Sequence, residues 1–202
     1  MNGPQSRLLG VYEETRRSWH GLAELVLAGP QYRRSGTIRL RIVDGGFATV
    51  KEPQLSVVGD RVGDVPVEGL TFAEVAERLG VDVGAPEGVY GDGSHVRPEE
   101  RITVPDARAL GEAFNRADAA LREFAKDQTP VLWPEHFDVG ITVGECNYGV
   151  SLGDAAIDEP YAYVGPWTPR TGPFWTESFG AARRLHDLDD IVAFFQEGQA
   201  NL

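Results

Sequence analysis

Residues 132–167 read LWPEHFDVGITVGECNYGVSLGDAAIDEPYAYVGPW, and the reading of this stretch decides the fold. Val139, Ile141 and Val143 alternate with Asp138, Gly140 and Thr142, a period of two that predicts a strand with one buried face. Tyr161 and Tyr163 share one face of a further strand over 160–164, with Ala162 and Val164 on the other. Between these strands Asn147-Tyr148-Gly149 and Leu152-Gly153-Asp154 read as turns or bends. The stretch also gathers two tryptophans, three tyrosines, one of the four histidines, the only cysteine and six carboxylates, so any site is expected here.

Upstream, Leu8, Tyr12, Trp19, Leu22 and Val26 recur at helical spacing, which predicts a helix over 4–28 that Gly29-Pro30 stops. Glu13, Glu14, Arg16 and Arg17 then fall on solvated faces. The period changes to two at Ile38, Leu40 and Ile42, and Asp44-Gly45-Gly46 supplies the turn of a β-hairpin running into 47–50. A second strand pair is expected over 55–58 and 61–67, folded at Gly59-Asp60, with Pro66 at an edge or strand end. Thr71 and Glu74 form a capping box for a short helix that buries Phe72, Val75, Ala76 and Leu79 and ends at Gly80. A loop follows over 81–101, with a turn at Asp92-Gly93.

Pro105 suits the first position of the next helix, whose stripe is Ala107, Leu110, Phe114, Ala117, Leu121 and Phe124. Asp187 is expected to cap a last helix that buries Leu188, Ile191, Val192, Phe194 and Phe195 and ends near Gly198. The expected architecture is a single α+β domain over 1–202, its one sub-boundary candidate at 82–104. A mostly antiparallel, bent sheet carries two longer helices, near 8–27 and 105–125, and a C-terminal helix closes one end.

The 31 acidic residues against 19 basic ones give a net charge of -12, a field that repels phosphate backbones and argues against nucleic acid. No apolar run reaches the roughly 18 residues that a membrane span needs, and no basic-then-apolar signal segment opens the chain. A cytoplasmic protein is the expectation. One cysteine excludes an internal disulfide, and its oligomeric state is not legible in the sequence.

Trp133-Pro134-x-x-Phe137-Asp138, Asn147-Tyr148-Gly149, Gly153-Asp154 and Glu159-Pro160-Tyr161-x-Tyr163, after a helix carrying Trp19-His20, resemble a bacterial family known only as a domain of unknown function. Its pattern is W-P-x-x-F-D, then N-[FY]-G, G-D and E-P-Y-x-Y. The resemblance implies the arrangement of these segments and carries over no catalytic role. A shorter likeness, Ser35-Gly36-Thr37-Ile38-Arg39-Leu40-Arg41 to Thr49, is similar to a strand-turn-strand segment in actinobacterial proteins related to mycothiol-dependent maleylpyruvate isomerases.

His136, between Glu135 and Asp138, reads either as a general base oriented by a carboxylate or as a half-exposed histidine at a strand start. No H-x-x-x-H, H-E-x-x-H or C-x-x-C spacing is present, so neither a metal nor a cofactor is expected. Cys146 has no basic neighbour in sequence, Ser151 no nucleophile elbow, and no glycine pattern cradles a phosphate. Trp133, Tyr148, Tyr161, Tyr163, Trp167 and Trp175 are either core or the lining of a pocket whose polar groups are Asn147, Asp154 and Glu159. Two functions are open. One is a binding domain for a small molecule or a protein partner, with an aromatic and acidic pocket in 132–175. The other is an enzyme on a small organic substrate, with His136 as base supported by Asp138 or Glu159. The first is favoured, because no catalytic constellation emerges.

Overall fold

The computed structural model describes residues 4–89 and 96–202, so the turn expected at Asp92-Gly93 lies outside the described residues. The described residues fold as α+β around a large antiparallel sheet. Its strands are β1 (Leu40–Val43), β2 (Gly46–Thr49), β3 (Ser56–Val58), β4 (Arg61–Val62), β5 (Val65–Pro66), β6 (Val131–Trp133), β7 (Asp138–Val143), β8 (Cys146–Ser151), β9 (Tyr161–Pro166) and β10 (Ala181–Arg184). Two meanders, β1 to β5 and β6 to β10, join where Leu40 pairs with Leu132, giving the order β10-β9-β8-β7-β6-β1-β2-β3-β4-β5. Each meander pairs strands that are consecutive in sequence, and every neighbouring pair within it is antiparallel.

The first helix does not stop at Gly29-Pro30. It runs as α1 (Pro4–Gly21), a π-helical segment (Leu22–Ala28) and α2 (Gly29–Ser35). Within the π segment the Gly29 amide reaches back to Glu24 O, and Leu25 O would next need the amide of residue 30, which proline lacks. The Gly84 amide fills that place, 3.0 Å from Leu25 O. A side chain at Gly29 would overlap the Gly84 backbone, so the glycine is there for this approach rather than as a terminator.

Elsewhere the expected 61–67 strand is two short ones, because Gly63 takes φ +53 and folds the chain back. Pro66 lies on β5, the edge strand, where a missing amide costs no ladder bond. The helix α3 (Phe72–Leu79) carries both halves of the Thr71–Glu74 capping box. Pro105 lies before the N-cap Asp106 of α4 (Ala107–Phe124), which buries Leu110, Phe114, Ala117 and Leu121. Asp190, not Asp187, caps α5 (Ile191–Ala200), its carboxylate accepting from the Val192 and Ala193 amides. Asp187 sits instead in a 3-10 turn, Leu185–Asp187. Asn147-Tyr148-Gly149 is no bend but the middle of β8.

One hydrophobic cluster runs through these elements. Trp19 and Phe114 meet Phe47 edge-on at 5.5 and 6.3 Å, and Phe137 closes the group at 5.7 Å from Phe47 and 5.3 Å from Phe114. A second aromatic group joins α4 and α5 to β8: Tyr148 lies 4.7 Å from Phe124 and 5.8 Å from Phe195. Each such ring contributes roughly 1.5–3 kcal/mol by leaving water. Among the described residues no helix is long and apolar enough to cross a membrane.

Candidate functional site

The pairing register sorts the central side chains onto two faces. Asp138, Ser151 and Tyr161 are directly opposed across β7, β8 and β9, as are Gly140, Gly149 and Tyr163. Opposed residues share a face. The other face carries Ile141, Tyr148 and Val164, and there Tyr148 is fully buried under α4 and α5.

On the first face the Tyr163 ring lies across Gly149 and Gly140, and its hydroxyl donates to Asp138 Oδ2. Asp138 is 8% exposed, and its Oδ1 has no hydrogen-bond partner among the described residues. Burial pushes the Asp138 carboxyl above its ordinary value, against the lowering by the Tyr163 hydroxyl and the nearby His136 charge. The Tyr163 phenol is likewise held well above its usual range, by burial first and by Asp138 second.

Next to this pair, Tyr161 donates to Asp154 Oδ2 at 2.6 Å, while Asp154 Oδ1 accepts from the Ala156 and Ile157 amides at 2.8 and 2.9 Å. Burial would raise the Asp154 carboxyl, but the Tyr161 hydroxyl and these amides outweigh it and hold the group below its ordinary value. Asp154 thereby pins the β8–β9 loop, and α1 holds the same loop from above. Tyr12 donates to Leu152 O at 3.0 Å and Arg16 to Gly153 O. Arg16 is therefore not on the solvated face that periodicity assigned to it.

The β6–β7 turn forms the opposite wall. The Phe137 amide donates to Trp133 O at 2.8 Å, and Phe137 adopts φ +52, the one positive φ among the described non-glycine residues. This conformation sends the Phe137 ring inward, where it is 3% exposed and stacks on His20 at 5.0 Å, and leaves His136 exposed. His20 Nε2 donates to Pro134 O at 2.7 Å and lies 3.7 Å from Glu24 Oε1. A carbonyl only accepts, so the proton on that nitrogen is fixed.

Between α1 and these two turns lies a cleft of about 780 Å³. Glu13, Arg16, Arg17 and His20 line it from α1, Glu135, His136 and Phe137 from the β6–β7 turn, and Gly153, Asp154, Ala155 and Asp158 from the β8–β9 loop. Arg17 also reaches Glu100 at 2.6 Å. Glu13, Glu135 and Asp158 enter no ion pair among the described residues.

Of the residues singled out in the sequence, His136 and Asp154 line the cleft, and Asp138, Tyr161 and Tyr163 connect to them from the sheet face. Trp133 pairs with Asp138 on that face, half-buried, with the Arg39 guanidinium 5.5 Å from its ring centre. The rest lie apart. Tyr148 belongs to the core; Asn147 and the 63% exposed Trp167 bond each other at 3.3 Å beyond the glycine pair. Glu159 pairs with His186 at 3.0 Å and Arg184 at 3.6 Å, and Trp175 packs edge-on against Phe174 at 4.9 Å. Tyr148 faces the side of the sheet opposite to Tyr161 and Tyr163, because residues opposed across β8 and β9 share a face and their strand neighbours take the other.

Periodicity alone missed Glu13, Arg16, Arg17 and His20 as wall residues. The signal available was the spacing of Tyr12, Arg16 and His20, a stripe one turn apart with polar ends. Among the described residues no group of three or more His, Cys, Asp or Glu is placed to hold a metal ion. Cys146 is fully buried, and burial pushes its thiol up, away from a reactive thiolate. No family model matches the chain, and no curated protein or solved structure matches it either.

Proposed function

We propose that this protein binds a small polar molecule in the cleft between α1 and the β6–β7 and β8–β9 turns. The single observation that carries the reading is the cleft itself, about 780 Å³ and lined by two imidazoles and four carboxylates. That volume suits a small organic ligand, and its walls are pre-formed by hydrogen bonds that Tyr12, Arg16 and His20 donate and that Asp154 accepts. Arg16 is bonded to Gly153 O on the cleft wall and Arg17 to Glu100, while Glu13, Glu135 and Asp158 enter no ion pair among the described residues, so the cleft favours a ligand that brings hydrogen-bond donors or a positive group. A net charge of -12 works in the same direction and against nucleic acid.

The second reading, an enzyme on a small organic substrate, is favoured by one observation: His136 stands on the cleft wall, two residues before the buried Asp138 carboxyl that opens β7. His136 is then the base and Asp138 the group behind it.

The test is a titration of isotope-labelled protein with small amines, amino acids and carboxylates, followed by amide chemical shifts. Binding should move signals in 13–20, 135–137 and 153–158, and the His136→Ala variant should weaken it. Shifts confined to other surfaces, or none with any probe, would overturn the cleft as a binding site.

A further inference from the structure

Of the glycines on the sheet face that carries Tyr161 and Tyr163, one is left unfilled. Gly140 and Gly149 lie under the Tyr163 ring, which takes the space of their missing side chains. Gly165 follows Tyr163 by two residues on β9, so it shares that face, and it opposes Asn147 on β8. Its φ is not positive, and an ideal Cβ there would meet nothing nearer than Phe179 O at 3.6 Å and Asn147 O at 3.9 Å. Neither conformation nor packing therefore demands a glycine at 165. A glycine weakens a strand, and it marks places where a ligand or another backbone approaches closely. Among the described residues no group makes that approach to Gly165.

The groups that border this gap are held in place and uncharged. Trp167, two residues further along, is the most exposed large apolar side chain among the described residues, at 63%. Its orientation is nevertheless fixed: the backbone amide donates to Glu145 O at 2.9 Å and the indole Nε1 to Asn147 Oδ1 at 3.3 Å. The same Asn147 oxygen accepts from Thr142 Oγ1 at 2.8 Å. Two donors on that oxygen set the amide plane, and they leave the Asn147 amide nitrogen with two N–H groups and no acceptor among the described residues. The Phe179 carbonyl stands at the gap from the other side. The helices α4 and α5 pack on the opposite face of the sheet, over Tyr148.

We infer that the gap over Gly165 is a second binding site, for a neutral sugar ring, with the Trp167 indole as its platform, the Asn147 amide as donor and the Phe179 carbonyl as acceptor. Tyr163 and Trp167 leave the strand four residues apart, roughly 13 Å along an extended chain, which gives a six-membered ring room between them. A sugar presents C–H groups on its flat face to an indole, and each hydroxyl at its rim both donates and accepts. The uncharged border offers nothing to a phosphate or an ammonium ion. An indole open to water suits an occupant whose outer side stays hydrated, where a wholly apolar one would have to be covered on both sides. The site shares no residue with the cleft between α1 and the two turns, so it stands or falls independently of the cleft.

The test is a titration of the isotope-labelled chain with glucose, galactose, mannose and N-acetylglucosamine, and with maltotetraose and cellotetraose. It is read at the indole N–H of Trp167 and the side-chain amide of Asn147. At least one sugar should move both signals to saturation, and tighter binding of a tetrasaccharide than of glucose would assign the ring to a polymer rather than to a free sugar. Gly165→Val fills the gap and should abolish the shifts, while the melting temperature stays unchanged or rises, because valine suits a strand better than glycine. Asn147→Ala should weaken binding about tenfold, the factor that one neutral hydrogen bond is worth. Sorbitol has the hydroxyls without the ring face and should move neither signal. The inference is overturned if no sugar moves the Trp167 signal, if sorbitol moves it equally, or if Gly165→Val binds as the unaltered protein does. It is overturned too if the signal moves with protein concentration alone, which would give this face to a second copy of the chain.

Discussion

The Tyr163 ring fills the space that a side chain at Gly149 would need: its hydroxyl oxygen stands 2.5 Å from an ideal Cβ there, and its ring carbons 2.6 and 2.7 Å. No real Cβ contact is that short, so one of the two must yield. Gly149→Ala should therefore cost about 1–3 kcal/mol, the range for overpacking a close contact. Urea denaturation measures it through the midpoint at unchanged slope. An unshifted midpoint would mean that the ring leaves its slot freely and that the Tyr163–Asp138 bond adds little.

Asp138 makes stability depend on pH in one direction. Burial raises its folded value above the unfolded one, so the folded protein holds the proton longer. The contribution is full below the unfolded value of about 4 and is lost as pH rises through the folded value. Asparagine carries no such titration. The difference in melting temperature, Asp138→Asn minus the unaltered protein, should become more positive as pH rises above about 4, and a pH-independent difference would contradict the assignment.

Asp154 works the opposite way. The Tyr161 hydroxyl and two loop amides favour its ionised form and lower its folded value, so its contribution is present above the unfolded value and lost as pH falls through the folded one. Asp154→Asn should remove part of the acid-labile stability, and its melting curves should converge with those of the unaltered protein below about pH 4. The side chain is exposed, so the effect is modest; loss of the loop bonds themselves is worth about 1 kcal/mol each at most. Amide exchange over 152–158 reads the loosened loop directly.

Local rules carried the elements that depend on near neighbours. The capping box at Thr71 and Glu74, the stripe of α4 and the Asp44-Gly45 turn are written within a few residues each, and they appear where the spacing places them. Local rules failed where a distant partner changed the account. Gly29-Pro30 reads as a stop, yet the Gly84 amide, far along the chain, satisfies the carbonyl that the proline leaves open and the helix goes on. Asn147-Tyr148-Gly149 reads as a bend, yet Gly149 is extended strand whose missing side chain makes room for Tyr163 from the next strand.

The candidate site divides in the same manner. Sequence by itself determined that strands of alternating pattern follow Trp133, that acidic and aromatic residues concentrate there, and that the field around the chain is negative, because composition and period are properties of the chain alone. Only the tertiary structure decided which of those side chains meet. Register sends Tyr148 to the core and Tyr163 to Asp138, although they lie on neighbouring strands, and the packing of α1 over two turns places Arg16 and His20 on the same cleft as His136 and Asp154. Alternation fixes that neighbours in a strand face apart, but which strand lies beside it, and in which register, follows from long-range pairing that no short window of sequence contains.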